Sequence, residues 1–75
     1  MAPEQLKDFI DVCHLKHNRN YRVLYSNMRM KDSVKGWIDA VVYAPMYDNE
    51  FQCFCREKES FLAEFEVVEE KSWQG

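Results

Sequence analysis

The chain has 75 residues, 47% of them apolar and 15% aromatic, with two glycines, two prolines and a formal charge of −3. That describes one small domain with enough aromatic area to bury a core, and it argues against a disordered segment. No apolar run approaches the ~20 residues that cross a bilayer.

Residues 3–13 read as a helix. Pro3 suits a first turn, and Leu6, Phe9, Ile10 and Cys13 recur at i, i+3, i+4 and i+7 as one apolar stripe. Asn18-Arg19-Asn20 reads as a turn before a first strand at Tyr21–Met28, where Tyr21, Val23 and Tyr25 alternate with Arg22, Leu24 and Ser26. Lys31–Gly36 is a polar hairpin loop in which Gly36 is expected at positive φ. The second strand, Trp37–Tyr43, has few polar residues on either face, as a central strand should, and Pro45 ends it. Tyr47–Glu50 is the next turn, and a third strand covers Phe51–Arg56. Ser60 is placed as the N-cap of a short helix carrying Phe61, Leu62 and Phe65. Residues 65–69 fit strand or helix, with a slight lean to strand, and 71–75 are expected to fray.

The fold class expected is α+β: an N-terminal helix packed on a small twisted antiparallel sheet of three or four strands, curled like a partly open SH3 barrel. It forms a single domain over 1–75, with the helix at 3–13, a β-rich core at 21–69 and a frayed tail at 71–75.

Charge is unevenly distributed. Residues 14–35 hold six Lys/Arg against the single acid Asp32, a net +5, whereas 48–70 hold eight acids against Arg56 and Lys58, a net −6. Such segments either pair across strands or form opposed faces that steer a charged partner. Acidic residues at Glu4, Asp8 and Asp11 stand where a secretory leader needs basic charge. Three cysteines are odd in number and too few for a disulfide framework. A reduced, cytoplasmic setting is therefore expected.

Cys13, His14, His17, Cys53 and Cys55 are of zinc-ligand type. On a strand, however, Cys53 and Cys55 stand about 6.6 Å apart, and tetrahedral zinc needs its thiolates within about 4 Å. No metal and no cofactor are expected. Cys13 and His14 are neighbours without an oxyanion loop, and the acidic run reads as a solvated face, so no enzyme activity is expected either.

Tyr21-Arg22-Val23, Val41-Val42-Tyr43, Tyr47, Phe54-Cys55-Arg56 and Phe61-Leu62 occur in an order that resembles a family of small bacterial and phage proteins classed as a domain of unknown function. The likeness covers about residues 16–66. Glu57 stands where that family usually has proline, and the 31–36 loop is longer than its typical one. The resemblance implies a small, partly open barrel in a phage or bacterial cytoplasm, and it implies no activity.

Two functions are consistent with these residues. The first is a non-catalytic protein-binding module, phage-encoded, that binds and modulates a host or bacterial protein through Tyr47, Arg56, Met28, Met30, Met46 and Trp37, residue types enriched at interfaces. The alternative is a small-barrel nucleic-acid or nucleotide binder that uses Arg19, Arg22, Arg29, Lys31, Lys35 and Tyr25 of the basic 14–35 segment. No membrane partner is expected, and the chain would be a monomer or homodimer.

Overall fold

The computed structural model describes residues 1–46 and 52–68. A 3-10 turn at Pro3–Gln5 precedes strands β1 (Asp11–His14), β2 (Arg19–Asp32), β3 (Gly36–Pro45) and β4 (Phe54–Glu57). Helix α1 (Lys58–Glu64) and strand β5 (Phe65–Val67) follow. All five strands join one antiparallel sheet in the order β4-β3-β2-β1-β5.

The helix expected at 3–13 does not form, and the protein is mostly β. Of its apolar stripe only Leu6 is buried, while Phe9 is 70% exposed with φ at 66°. A helix of that length is marginal in water without strong packing, and Ile10–His14 has a better alternative. Val12 and His14 point inward while Asp11 and Cys13 alternate with them, and β1 pairs on both sides, with β2 and with β5. The Phe9 N–H reaches Val23 O at 2.7 Å, and the Val23 N–H reaches Ile10 O at 2.9 Å. The β core thus begins at Asp11, and five strands replace the expected three or four.

Other boundaries moved less. Gly36 has φ at 80°, Pro45 closes β3, and β3 lies between β2 and β4 as expected of a central strand. Strand β4 starts at Phe54, since Gln52 and Cys53 precede it. Residues 65–67 are strand. Ser60 lies inside α1 rather than capping it; Glu57 is the N-cap and makes no side-chain cap bond. The turn placed at Tyr47–Glu50, residue Phe51, and the tail at 71–75 lie outside the described residues.

Connectivity forces the sheet to curl. In a flat sheet of five strands the edges would stand about 19 Å apart, yet α1, the only link from β4 to β5, spans about 10 Å. The edges therefore approach each other across the core face, and the Arg56 guanidinium of β4 sits 5.5 Å from the ring centre of Phe65 in β5. Inside the curl lie Leu6, Val12, Val23, Val41, Tyr43, Phe61 and Phe65. Phe61 and Phe65 stack with centroids 4.1 Å apart, and Tyr43 meets them at 5.2 and 5.1 Å. The Met1 ammonium donates to the carbonyls of Leu62 (2.5 Å) and Phe65 (3.2 Å), placing positive charge at the negative end of α1.

Strand β2 is irregular at one place. Its register against β3 shifts between Val23 and Tyr25 and again between Tyr25 and Met28. Bulging frees backbone groups from the ladder, and here Asp8 Oδ1 accepts both the Ser26 N–H and the Ser26 hydroxyl at 2.7 Å. Those two bonds hold the Asp8 carboxyl below its usual range.

Candidate functional site

β2 and β3 outrun every neighbour. β1 pairs with β2 only as far as Arg22, and β4 pairs with β3 only from Ala40 onward. Arg29–Asp32 and Gly36–Asp39 therefore form a two-stranded arm. A strand of β2's length spans about 43 Å, which accounts for the molecule's 46 Å long axis.

The pairing register assigns the faces of the arm. Trp37 and Asp39 share the face of Val41 and Tyr43, opposite Lys31 and Arg29. There Lys31 Nζ lies 6.0 Å from the Trp37 ring centre, a cation–π distance, and Arg29 Nε lies 4.0 Å from Asp39. On the other face Met30 opposes Ile38 and Met28 opposes Ala40. Trp37 is 63% exposed, Met28 39%, and Val34 at the tip 89%.

The arm is also bent back. Cys55 donates to Met30 Sδ at 3.6 Å, and Lys35 Nζ reaches Glu57 at 3.3 Å. Cys55 and Glu57 pair with Val42 and Ala40, well down β3 from the arm, so the arm must lean over β4. That explains why Ala40 is fully buried on a face that no helix covers.

A second polar assembly joins α1 to the sheet. Arg56 Nη1 bonds Glu64 Oε2 at 2.6 Å and Ser60 Oγ at 3.3 Å, and its Nε reaches the Tyr43 hydroxyl at 3.3 Å. Ser60 Oγ donates to the same Glu64 oxygen at 2.8 Å. These bonds raise Arg56 further above its ordinary value, the Tyr43 bond most, and lower Glu64, the Ser60 bond most.

On the far side of Glu64, the buried His14 Nε2 lies 3.8 Å from Oε1. His14 Nδ1 accepts the His17 N–H at 3.3 Å, so the neutral ring carries its proton on Nε2. Burial lowers the His14 pKa first, then the neighbouring His17, Arg56 and Lys16, with Glu64 opposing them. Ser60, Glu64 and His14 do not make a catalytic triad. In a triad the imidazole stands between hydroxyl and carboxylate; here the carboxylate stands between them.

Of the residues singled out from sequence, Met28, Met30, Trp37, Arg29, Lys31 and Lys35 converge on the arm. Tyr25 sits at its base, 55% exposed, opposite Val42. Met46 follows β3 as an exposed residue whose N–H reaches Asn20 O. Arg56 is turned inward onto Glu64, Ser60 and Tyr43, and Arg22 is held by Asp11 at 2.8 Å. Arg19 opens β2, and Tyr47 lies outside the described residues. Glu64, His14 and Asp8 were missed as organising residues. Only the four-residue spacing of Ser60 and Glu64 signals any of this in the sequence.

Among the described residues no group of three His, Cys, Asp or Glu side chains could hold a metal ion. No helix among them is long and apolar enough to cross a membrane. Of the six cations in 14–35, Arg22, Arg29 and Lys35 have acidic partners supplied by β1, β3 and β4. Of these pairs only Lys35–Glu57 joins the basic and acidic segments read from the sequence; Asp11 and Asp39 lie outside 48–70. Comparison with protein-family models, with curated proteins and with solved structures gave no match.

Proposed function

We propose that the protein is a non-catalytic binding module that docks on a partner protein through the β2–β3 arm. One observation carries this reading: Trp37, 63% exposed, stands on a ribbon with which neither β1 nor β4 pairs. Tryptophan left in water at such a position is the residue type that most often anchors protein contacts. Met28 faces the opposite way and Val34 crowns the tip, so the arm suits insertion into a partner's groove. A phage-encoded modulator of a host protein is the finer form of this reading. Pairing of Arg29 with Asp39 and of Lys35 with Glu57 offsets the positive charge of the arm, which weakens the nucleic-acid alternative.

The test is affinity capture from bacterial lysate by immobilised protein, run beside Trp37→Ala. A captured protein should be lost with Trp37→Ala while the variant keeps its circular dichroism spectrum and melting temperature. Capture that is indifferent to Trp37→Ala would refute the reading. So would oligonucleotide binding by the pure protein that falls steeply with salt.

A further inference from the structure

The curl of the sheet leaves one end of the core face open. A cleft of about 580 Å³ sits there, lined by Asn18, Arg19, Asn20, Tyr21, Pro45, Gln52 and Phe54. This volume falls within the roughly 300–1,000 Å³ typical of small-molecule sites, which often occupy the mouths of curled sheets.

Register explains its lining. Tyr21 pairs with Pro45, Phe54 pairs with Tyr43, and Arg19 pairs with His14, which puts these side chains on the core face beyond its last fully buried layer. Tyr21 and Phe54 both flank Tyr43, at centroid distances of 5.3 and 5.8 Å, and Phe54 keeps 42% of its surface exposed. The wall therefore offers aromatic surface to a flat ring.

Among the described residues its charged lining is Arg19. No acidic side chain lines the cleft among the described residues. Arg19 makes no ion pair among them, unlike Arg22, Arg29, Lys35 and Arg56. Lys16, in the turn before Arg19, is exposed and adds positive charge beside it. A guanidinium next to aromatic walls is matched by an anion joined to a planar ring.

We infer that this cleft binds a small planar ligand carrying a phosphate or carboxylate, with Arg19 holding the anion and Phe54 facing the ring. The site shares no residue with the arm, so this inference and the proposed docking reading are tested by different substitutions.

The test is an amide-resolved NMR titration of the full chain with adenosine 5′-monophosphate, adenosine, inorganic phosphate and benzoate. Saturable shifts at Asn18, Arg19 and Tyr21 are expected with at least one ring-bearing anion. Adenosine and inorganic phosphate should each bind about tenfold or more weaker, because each lacks one of the two features. Strength with the monophosphate identifies a phosphate ligand, and strength with benzoate a carboxylate. Arg19→Gln should weaken the preferred anion about tenfold and leave adenosine unchanged. Trp37→Ala should alter neither. The inference fails if neither ring-bearing anion shifts these amides, or if Arg19→Gln binds both as tightly as the native chain.

Discussion

Phe61 decides whether α1 is a structural closure or a decoration. Its side chain is fully buried, stacked on Phe65 at 4.1 Å with an interplanar angle of 9°, and set against Tyr43 at 5.2 Å. Truncation to alanine removes the ring's burial and opens a cavity, at a cost of about 3–5 kcal/mol. A domain of this length is worth about 4–11 kcal/mol in all. Phe61→Ala should therefore sit close to the unfolding threshold at room temperature. Phe61→Leu keeps most of the volume and loses the two ring contacts, at about 0.5–1.5 kcal/mol each, so a loss of about 1–3 kcal/mol is expected. That corresponds to a fall in Tm of roughly 4–24 °C. Urea denaturation followed by tryptophan fluorescence and far-ultraviolet dichroism gives both numbers. If Phe61→Ala costs less than about 1 kcal/mol at unchanged urea slope, α1 does not close the core and the curl has another cause.

Asp8→Asn should speed hydrogen exchange of the Ser26 amide and lower Tm, because the bulged N–H and hydroxyl lose their charged acceptor; equal exchange in both proteins would remove Asp8 from the bulge. The folded Asp8 pKa lies below 3.8, so its contribution is fully present above that pH and is lost as pH falls through the folded value. His14 is likewise depressed, from 6.5. Its stabilisation is complete above that pH and declines as the pH drops toward the folded value, so Tm should be lower at pH 5 than at pH 8, and His14→Gln should flatten the difference. Gly36→Ala meets no atom within 4 Å but keeps φ at +80°, so strain alone should cost about 1 kcal/mol. Arm amides would then exchange about fivefold faster, whereas a D-alanine at the same position should not accelerate them.

The strands legible in the sequence were those defined by local signals. Trp37–Tyr43 has few polar residues on either face, Gly36 marks the turn, and Pro45 marks the stop; each acts within a few residues. What was misread depended on distant partners. Leu6, Phe9, Ile10 and Cys13 fit a helical stripe, but β1 gains two neighbours, one of them β5 from the far end of the fold. Tyr21, Val23 and Tyr25 alternate as if all faced inward. The register shift after Val23 sends Tyr25 outward, and the carboxylate that accepts the freed N–H comes from Asp8, 18 positions away. Arg56 looked like a surface cation because nothing in Phe54–Ser60 shows that α1 will carry Glu64 back over it.

That the arm would project was visible only as an unusually polar hairpin. Met28, Met30 and Trp37 stand out in the sequence only as interface-type residues near a turn. Their gathering on one ribbon follows from how short β1 and β4 are beside β2 and β3.

The pairing of β1 with β5 also constrains how the molecule is made. β1 leaves the ribosome long before β5, so one of its margins has no backbone partner while the middle of the protein is being synthesised. A bare margin of this kind invites pairing with the wrong chain, and contacts so remote in sequence slow the search for the native state. The nascent molecule stays vulnerable until Phe61 and Phe65 arrive, and completion of the sheet coincides with completion of its interior.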